Sequence, residues 1–267
     1  MKKILKSLLQ YLPLSVQVFL SSYYYSAILK KVNENTEIDF PIVKCLIGSG
    51  EVVLDVGANV GIHTKFMVDL VGYDGCVYSF EPHPFTYSIL VANIYDRLGL
   101  KNVKVQNLGL SDQTQELSAI VPVYPSGDKN YYRVQIKEVE NNENILTLKL
   151  KCVSLDEFWD GLNVNNPITF IKIDVEGHEL SVIRGSITTL KKFKPALLVE
   201  VSGNPDDPIS EAFLVFSILL DIGYYAYWFD GTQLRKRCTN DRSINYFFLT
   251  ENHLSKVYHT LQVQPNK

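Results

Sequence analysis

The stretch Val52-Val53-Leu54-Asp55-Val56-Gly57-Ala58-Asn59-Val60-Gly61-Ile62-His63-Thr64 decides the fold. Its first five residues form an apolar, β-branched run suited to a strand buried on both faces, as parallel strands in α/β proteins are. Asp55 interrupts that run near its end, where a carboxylate is costly unless loop N–H groups or a polar ligand compensate its desolvation. Gly57 and Gly61 permit backbone conformations and close approaches that a Cβ would block. A strand, a glycine turn and a helix start leave the first N–H groups of the helix pointing at the cleft where open α/β sheets bind ligands. The spacing is Asp-x-Gly-x-x-x-Gly, neither the dinucleotide Gly-x-Gly-x-x-Gly nor a phosphate loop, because no Lys-Ser/Thr follows. A pyrophosphate is therefore not the expected guest. The plainer alternative is that the two glycines only shape a tight strand-to-helix turn.

The next strand, Cys76-Val77-Tyr78-Ser79-Phe80-Glu81, ends in an acid and runs into Pro82-His83-Pro84. Glu81 lies roughly 20 to 26 residues beyond the first loop, the offset at which nucleotide-binding α/β folds place the carboxylate for ribose hydroxyls. Alone it would read as a solvated loop residue. One strand-helix unit behind the glycine loop, it reads as a ribose ligand.

The pattern then repeats. Val60 to Val71 and Pro84 to Leu98 read as crossover helices, each stopped by a glycine, and Val103 to Asn107 as a third strand, which together predict a parallel sheet. From Gln113 to Cys152 the expected helix is missing; Leu117 to Val123, Tyr131 to Val139 and Ile145 to Val153 alternate as antiparallel strands, and the insertion carries Tyr124, Tyr131, Tyr132 and Arg133 as candidate acceptor contacts. Ser154 and Glu157 form a capping box. In Ile168 to Asp174 the two-residue period puts Phe170, Lys172 and Asp174 on one face, so Lys172 and Asp174 are either a buried structural ion pair or part of the cleft at the strand end. A helix is expected over Leu180 to Leu190, a fifth strand over Ala196 to Val201, a helix over Ile209 to Ile222, and final strands over Tyr224 to Phe229 and Ile244 to Leu249. The tail from Glu251 is polar and carries no further signal.

The segments LDVGANVGIHT, FEPHP, NLGLSD, SLDEF and IKIDVEGHEL, in this order, resemble the FkbM family of S-adenosylmethionine-dependent methyltransferases. The resemblance is dense from about Glu51 to Val201 and weaker to about Thr250. It implies an α/β, Rossmann-like class I methyltransferase sheet, mostly parallel with an antiparallel terminal strand. A helical extension over 1–50 would precede a catalytic domain over 51–250, with a β insertion at 113–153 and a tail at 251–267. It implies methyl transfer, usually to oxygen, with S-adenosylmethionine held by Asp55, Gly57, Ala58, Asn59, Gly61, Thr64 and Glu81, and with Ser111 and Asp112 bordering the adenine. Ser111 and Asp112 are equally the residues of an ordinary turn.

A hydroxyl acceptor must lose a proton, and His178 is the expected base, with Asp174 and Glu176 as neighbouring alternatives and Lys172 beside them. A second route uses Asp174 and Glu200, at the ends of two strands, to hold a divalent cation such as magnesium. The expected acceptor is a small molecule or glycan hydroxyl. Alternatives are a nucleotide-dependent oxidoreductase, disfavoured by the missing Gly-x-Gly-x-x-Gly, and a non-catalytic nucleotide-binding or partner-binding domain.

A formal net charge of −3 over 267 residues argues against nucleic acid as partner. Four scattered cysteines, Cys45, Cys76, Cys152 and Cys238, include no Cys-x-x-Cys pair and fit a reducing, cytoplasmic setting. After Lys2, Lys3 and Lys6 no charge appears from Ser7 to Leu29, but Pro13 and the Ser, Gln and Tyr content disfavour a membrane span. Helices packed on the catalytic domain are expected there, with peripheral membrane contact as the alternative. The oligomeric state is open.

Overall fold

The computed structural model describes residues 12–121, 135–136, 146–162, 164 and 166–262. The quoted stretch forms strand β1 (Val52–Val56) and helix α3 (Ile62–Val71). Two helices precede it, α1 (Leu14–Leu29) and α2 (Phe40–Leu46). After α3 come β2 (Cys76–Phe80), α4 (Pro84–Val91) and β3 (Val103–Gln106). The helix expected to run to Leu98 changes at Ala92 into a π-helical turn, Ala92–Arg97, whose buried Asn93 donates from Nδ2 to the Val60 carbonyl at 2.9 Å. That bond ties the turn to the glycine loop, a long-range demand invisible in the local pattern.

The insertion forms a small separate sheet. Strand β5 (Gln115–Val121) pairs antiparallel with β7 (Leu146–Val153), while β4 (Gly109–Leu110) lies parallel to β7 and β6 (Gln135–Ile136) edges β5. Gly109–Leu110, just before the Ser111-Asp112 turn, thus contributes a short strand. Tyr124, Tyr131, Tyr132 and Arg133 lie outside the described residues.

Helix α5 (Leu155–Gly161) starts at Ser154, whose side chain accepts from the Glu157 amide, as the capping signal predicts. Strand β8 (Ile168–Ile173) follows. The single helix expected over Leu180 to Leu190 is two, α6 (Glu179–Arg184) and α7 (Ile187–Phe193), broken at Gly185, where an added Cβ would fall 1.9 Å from the Ser111 carbonyl oxygen. The chain then supplies β9 (Ala196–Glu200), α8 (Glu211–Asp221), β10 (Tyr225–Phe229), β11 (Leu234–Lys236) and β12 (Asn245–Leu249). The tail is not featureless: Glu251–Gln262 forms helix α9, and Leu254 and Val257 enter the same core as Phe40, Ile42 and Leu46 of α2. Their i, i+3 spacing was the available signal.

The main sheet runs β11-β10-β12-β9-β8-β1-β2-β3. Strands β3, β2, β1, β8 and β9 are mutually parallel, and β12 is antiparallel to both β9 and β10. This is the mostly parallel α/β sheet with an antiparallel strand that the family resemblance implies. Two buried clusters cover its faces. Val53, Val77, Phe170 and Leu198 point into one, and Leu54, Tyr78, Ile171 and Leu197 into the other, as the two-residue period requires. Among the described residues no helix is long and apolar enough to cross a membrane.

Candidate functional site

From β1 the chain moves outward through β2 and β3, then returns to β1's other side for β8 and β9. The reversal between β1 and β8 is the switch point at which open α/β sheets bind ligands, beyond the carboxyl ends of their strands. A cleft of about 730 Å³, mouth included, opens there. Its walls are Val56, Gly57 and Asn59 after β1; Phe80, Glu81, Pro82, His83 and Thr86 after β2; Asp174, Val175, Glu176 and His178 after β8; and Gly109, Leu110 and Leu150 from the small sheet.

Beneath this cleft a polar row crosses three strands. The register sets Asp55 beside Ser79 on β2 and Lys172 on β8. Thr64, from α3, donates to Asp55 Oδ2 at 2.6 Å and meets Ser79 Oγ at 3.0 Å. Lys172 Nζ donates to the Gly57 carbonyl at 3.1 Å and lies 3.1 Å from Asp174 Oδ2 and 3.7 Å from Asp55 Oδ1. Burial alone would lower the Lys172 pKa, but Asp174 and Asp55 outweigh it and hold the ammonium above its ordinary value. The fully buried Asp55 is met by Lys172 and by Thr64, through both its hydroxyl and its backbone amide, yet burial still raises its pKa. Asp55, Thr64 and Lys172 do not reach the cleft wall; they brace the loop from behind.

The amides of the glycine loop are used within the protein. Gly57 N and Ala58 N both donate to the Phe80 carbonyl, Gly61 N donates to the Ala58 carbonyl, and Asn59 N donates to Glu81 Oε2 at 2.9 Å. The Gly57, Ala58 and Asn59 amides fasten the loop to the end of β2, and the Gly61 amide closes the turn on itself. Gly57 has φ 79°, and a Cβ there would fall 1.8 Å from the Asp174 carbonyl oxygen. The close approach that requires this glycine is therefore made by the neighbouring chain segment. Gly61, at φ 102°, starts α3 with its Cα against Leu90 and Ile94.

Glu81 is 7% exposed and held by two amides, Asn59 N on Oε2 and His83 N on Oε1, both at 2.9 Å. Burial lifts its pKa to about 7, although both amides and Lys172 pull it down. A carboxylate fixed by one bond per oxygen retains lone pairs for two further donors. His83 caps α4, accepting from Thr86 N at Nδ1, and burial lowers its pKa to about 4, which keeps the imidazole neutral.

On the opposite wall, Glu176 has φ 53°. The left-handed region is unfavourable for a glutamate, and such strain concentrates at functional sites. His178 Nε2 lies 2.9 Å from Ser111 Oγ. Ser111 is fully buried and donates to Asp112 Oδ1 at 3.1 Å, while Gln115 Nε2 donates to both Ser111 Oγ and Asp112 Oδ1. With the Ser111 proton assigned to Asp112, His178 must donate from Nε2, which leaves Nδ1 as its basic nitrogen. Burial lowers the His178 pKa, against an opposing pull from Asp112 and Glu211. Ser111, Asp112 and Gln115 are thus gathered beside His178.

Glu200 ends β9 near Asp174 and Glu176. Burial first, and then these two acids, raise its pKa to about 7. Among the described residues no group of three or more His, Cys, Asp and Glu side chains is arranged to hold a metal ion, and Asp174 is ion-paired with Lys172. The sequence reading missed His83, Thr86, Gly109, Leu110 and Leu150. FEPHP carried a signal for the first of these, since a His before Pro at a helix start is a capping position. Leu150 had none.

Residues 55–225 match the family model described as the methyltransferase FkbM domain. Hexuronic acid methyltransferase AglP of Haloferax volcanii is 28% identical over 168 residues, 62% of this chain and 63% of that one. Methyltransferase 1 of Beauveria bassiana is 26% identical over 146 residues, 50% and 57% of the two chains. The matches thus span less than two thirds of these relatives. Among solved structures, methyltransferase FkbM from Methylobacillus flagellatus KT gives a TM-score of 0.47 at 17% identity, covering 91% of this chain and 56% of that one. An O-methyltransferase from Bacillus cereus in complex with SAH gives 0.47 at 12% identity, covering 86% and 89%. The family model covers well over half of the chain, which therefore belongs to the FkbM methyltransferase family.

Proposed function

We propose that the protein transfers a methyl group from S-adenosylmethionine to a hydroxyl of a glycan or secondary metabolite. The observation that carries this reading is Glu81, a buried carboxylate held by two backbone amides at the wall of the switch-point cleft, where a ribose diol has the matching pair of donors. Family membership supplies the reaction class, and the likeness to the hexuronic acid methyltransferase of Haloferax volcanii favours a sugar-like acceptor.

The residues present fit the cofactor: Glu81 for the ribose, Gly57 and Asn59 alongside it, and the apolar walls Phe80, Leu110 and Leu150 for a flat ring. When bound, it supplies an electrophilic methyl on a sulfonium, open to in-line attack. The protein's part is alignment and proton removal. His178 would accept the acceptor hydroxyl's proton at Nδ1, its ring oriented through Nε2 by Ser111 and Asp112. Asp174 and Glu176 border the same wall. Lys172 keeps the Gly57 loop and the Asp174 strand end together. Asp174 Oδ2 is paired with Lys172, and among the described residues no group of three or more His, Cys, Asp and Glu side chains is arranged to hold a cation, so proton removal is assigned to His178.

Transfer of labelled methyl from S-adenosylmethionine to a panel of neutral and uronic glycosides tests the proposal. With an active acceptor, His178→Ala should lower kcat by roughly 10² to 10⁴-fold with cofactor affinity nearly unchanged. Full turnover in that variant would remove His178 as the base. Hydride exchange with NAD and no methyl transfer would favour the oxidoreductase reading.

A further inference from the structure

We propose that the outward face of α1 docks on a membrane surface of anionic lipid. The helix packs inward through Val18, Ser22, Tyr25, Ser26 and Leu29, with Val18 and Tyr25 against Val60, Phe85 and Ile89. Its two buried serines donate back to the helix carbonyls of Phe19 and Tyr23. At 3.6 residues per turn, Val16, Phe19, Leu20, Tyr23, Tyr24 and Ala27 share the opposite side. Phe19 is 57%, Tyr23 66% and Tyr24 60% exposed, with the Arg97 guanidinium 4.8 Å and 5.8 Å from the Phe19 and Tyr23 ring centroids, a further cation at the edge of the stripe. An ordinary surface helix is polar on that side, and a helix apolar all round is normally covered.

Charge identifies the cover. No Asp or Glu occurs before Glu34, whereas Lys2, Lys3 and Lys6 precede the stripe and the exposed Lys30 and Lys31 follow it, in a chain of net charge −3. Pairing with a second copy through this stripe would set lysines against lysines in either helix orientation. Anionic headgroups neutralise both ends, and tyrosine rings suit the boundary between headgroups and acyl chains. With 16 residues, α1 is about 24 Å long. Its inner side is already occupied, so it lies in the interface and does not cross it.

Flotation of the full chain with phosphatidylcholine vesicles, with and without phosphatidylglycerol, tests this. Binding should require phosphatidylglycerol and weaken with added salt. Leu20→Ser with Tyr24→Ser should reduce partitioning by at least about tenfold, and Lys30→Glu with Lys31→Glu by about tenfold on anionic vesicles. Both double variants should keep the wild-type circular dichroism spectrum and affinity for S-adenosylhomocysteine. Three results would overturn the proposal: no flotation with anionic vesicles; flotation unchanged in folded Leu20→Ser/Tyr24→Ser protein; or a lipid-free dimer that this variant dissolves.

Discussion

Replacing Gly57 by alanine tests whether the glycine loop is fixed by the protein's own packing. An added Cβ would fall 1.8 Å from the Asp174 carbonyl oxygen and 2.9 Å from its carbon, whereas real Cβ contacts essentially never come below 3.0 Å. The obstacle is backbone, and it is held: Asp174 N donates to the Val56 carbonyl, and Lys172 bonds both the Gly57 carbonyl and Asp174. Relief therefore opens the β1–β8 junction and disturbs a buried ammonium, a loss of about 1–3 kcal/mol. The left-handed backbone, at φ 79°, adds about 1–2 kcal/mol for alanine. Together these give about 2–5 kcal/mol, toward the upper end for a single substitution. Urea unfolding measures it, with Gly177→Ala as the control. Gly177 has φ 98° but nothing within 4 Å of an added Cβ, so it should lose only the backbone contribution, about 1–2 kcal/mol. If Gly57→Ala costs no more than Gly177→Ala, the packing argument fails.

Three further outcomes follow from the site. Glu81 has a pKa near 7 in the cofactor-free protein, and ribose hydroxyls need its charged form, so a proton competes with the ligand: affinity for S-adenosylhomocysteine should be full above pH 8 and fall as pH drops through 7, by about tenfold at pH 6. Calorimetry across pH should give this slope in wild type and in Glu200→Gln and lose it in Glu81→Gln; an equal slope in Glu81→Gln would assign the titration elsewhere. Ser111→Ala should lower kcat and shift its pH profile while leaving cofactor affinity within about twofold, as expected of a group that orients His178; selective loss of cofactor affinity would return Ser111 to the adenine. EDTA should leave turnover unchanged, because proton removal is assigned to His178; reversible loss of activity would restore the metal route through Asp174 and Glu200.

The parts of the fold legible in the sequence were those set by local pattern. The β-branched run at Val52–Val56, the helix starts at Pro84 and Ser154, and the period-two strand at Ile168–Ile173 each carry their own signal. What was not legible depends on contacts between distant segments. Gly185 breaks a helix because Ser111 passes against it, and Asn93 reaches the Val60 carbonyl from the π-helical turn. Gly57 was legible as a site of close approach, but the approaching group, the Asp174 carbonyl, lies more than a hundred residues away in the chain. The site divides in the same way. Glu81, Asn59, Asp174, Glu176 and His178 converge on the cleft, whereas Asp55, Thr64 and Lys172, chosen by the same motifs, form the polar row behind it. A motif records that residues belong together without separating those that face a ligand from those that hold the wall.

The most direct test of the account is calorimetric titration of the full chain with S-adenosylmethionine, S-adenosylhomocysteine and NAD, in wild type and in Glu81→Ala. The first two should bind and NAD should not, and Glu81→Ala should weaken both by about 1.5 to 3 kcal/mol, the loss of hydrogen bonds to a charged acceptor. Binding of NAD in preference, or unchanged affinity for S-adenosylmethionine in folded Glu81→Ala protein, would contradict it.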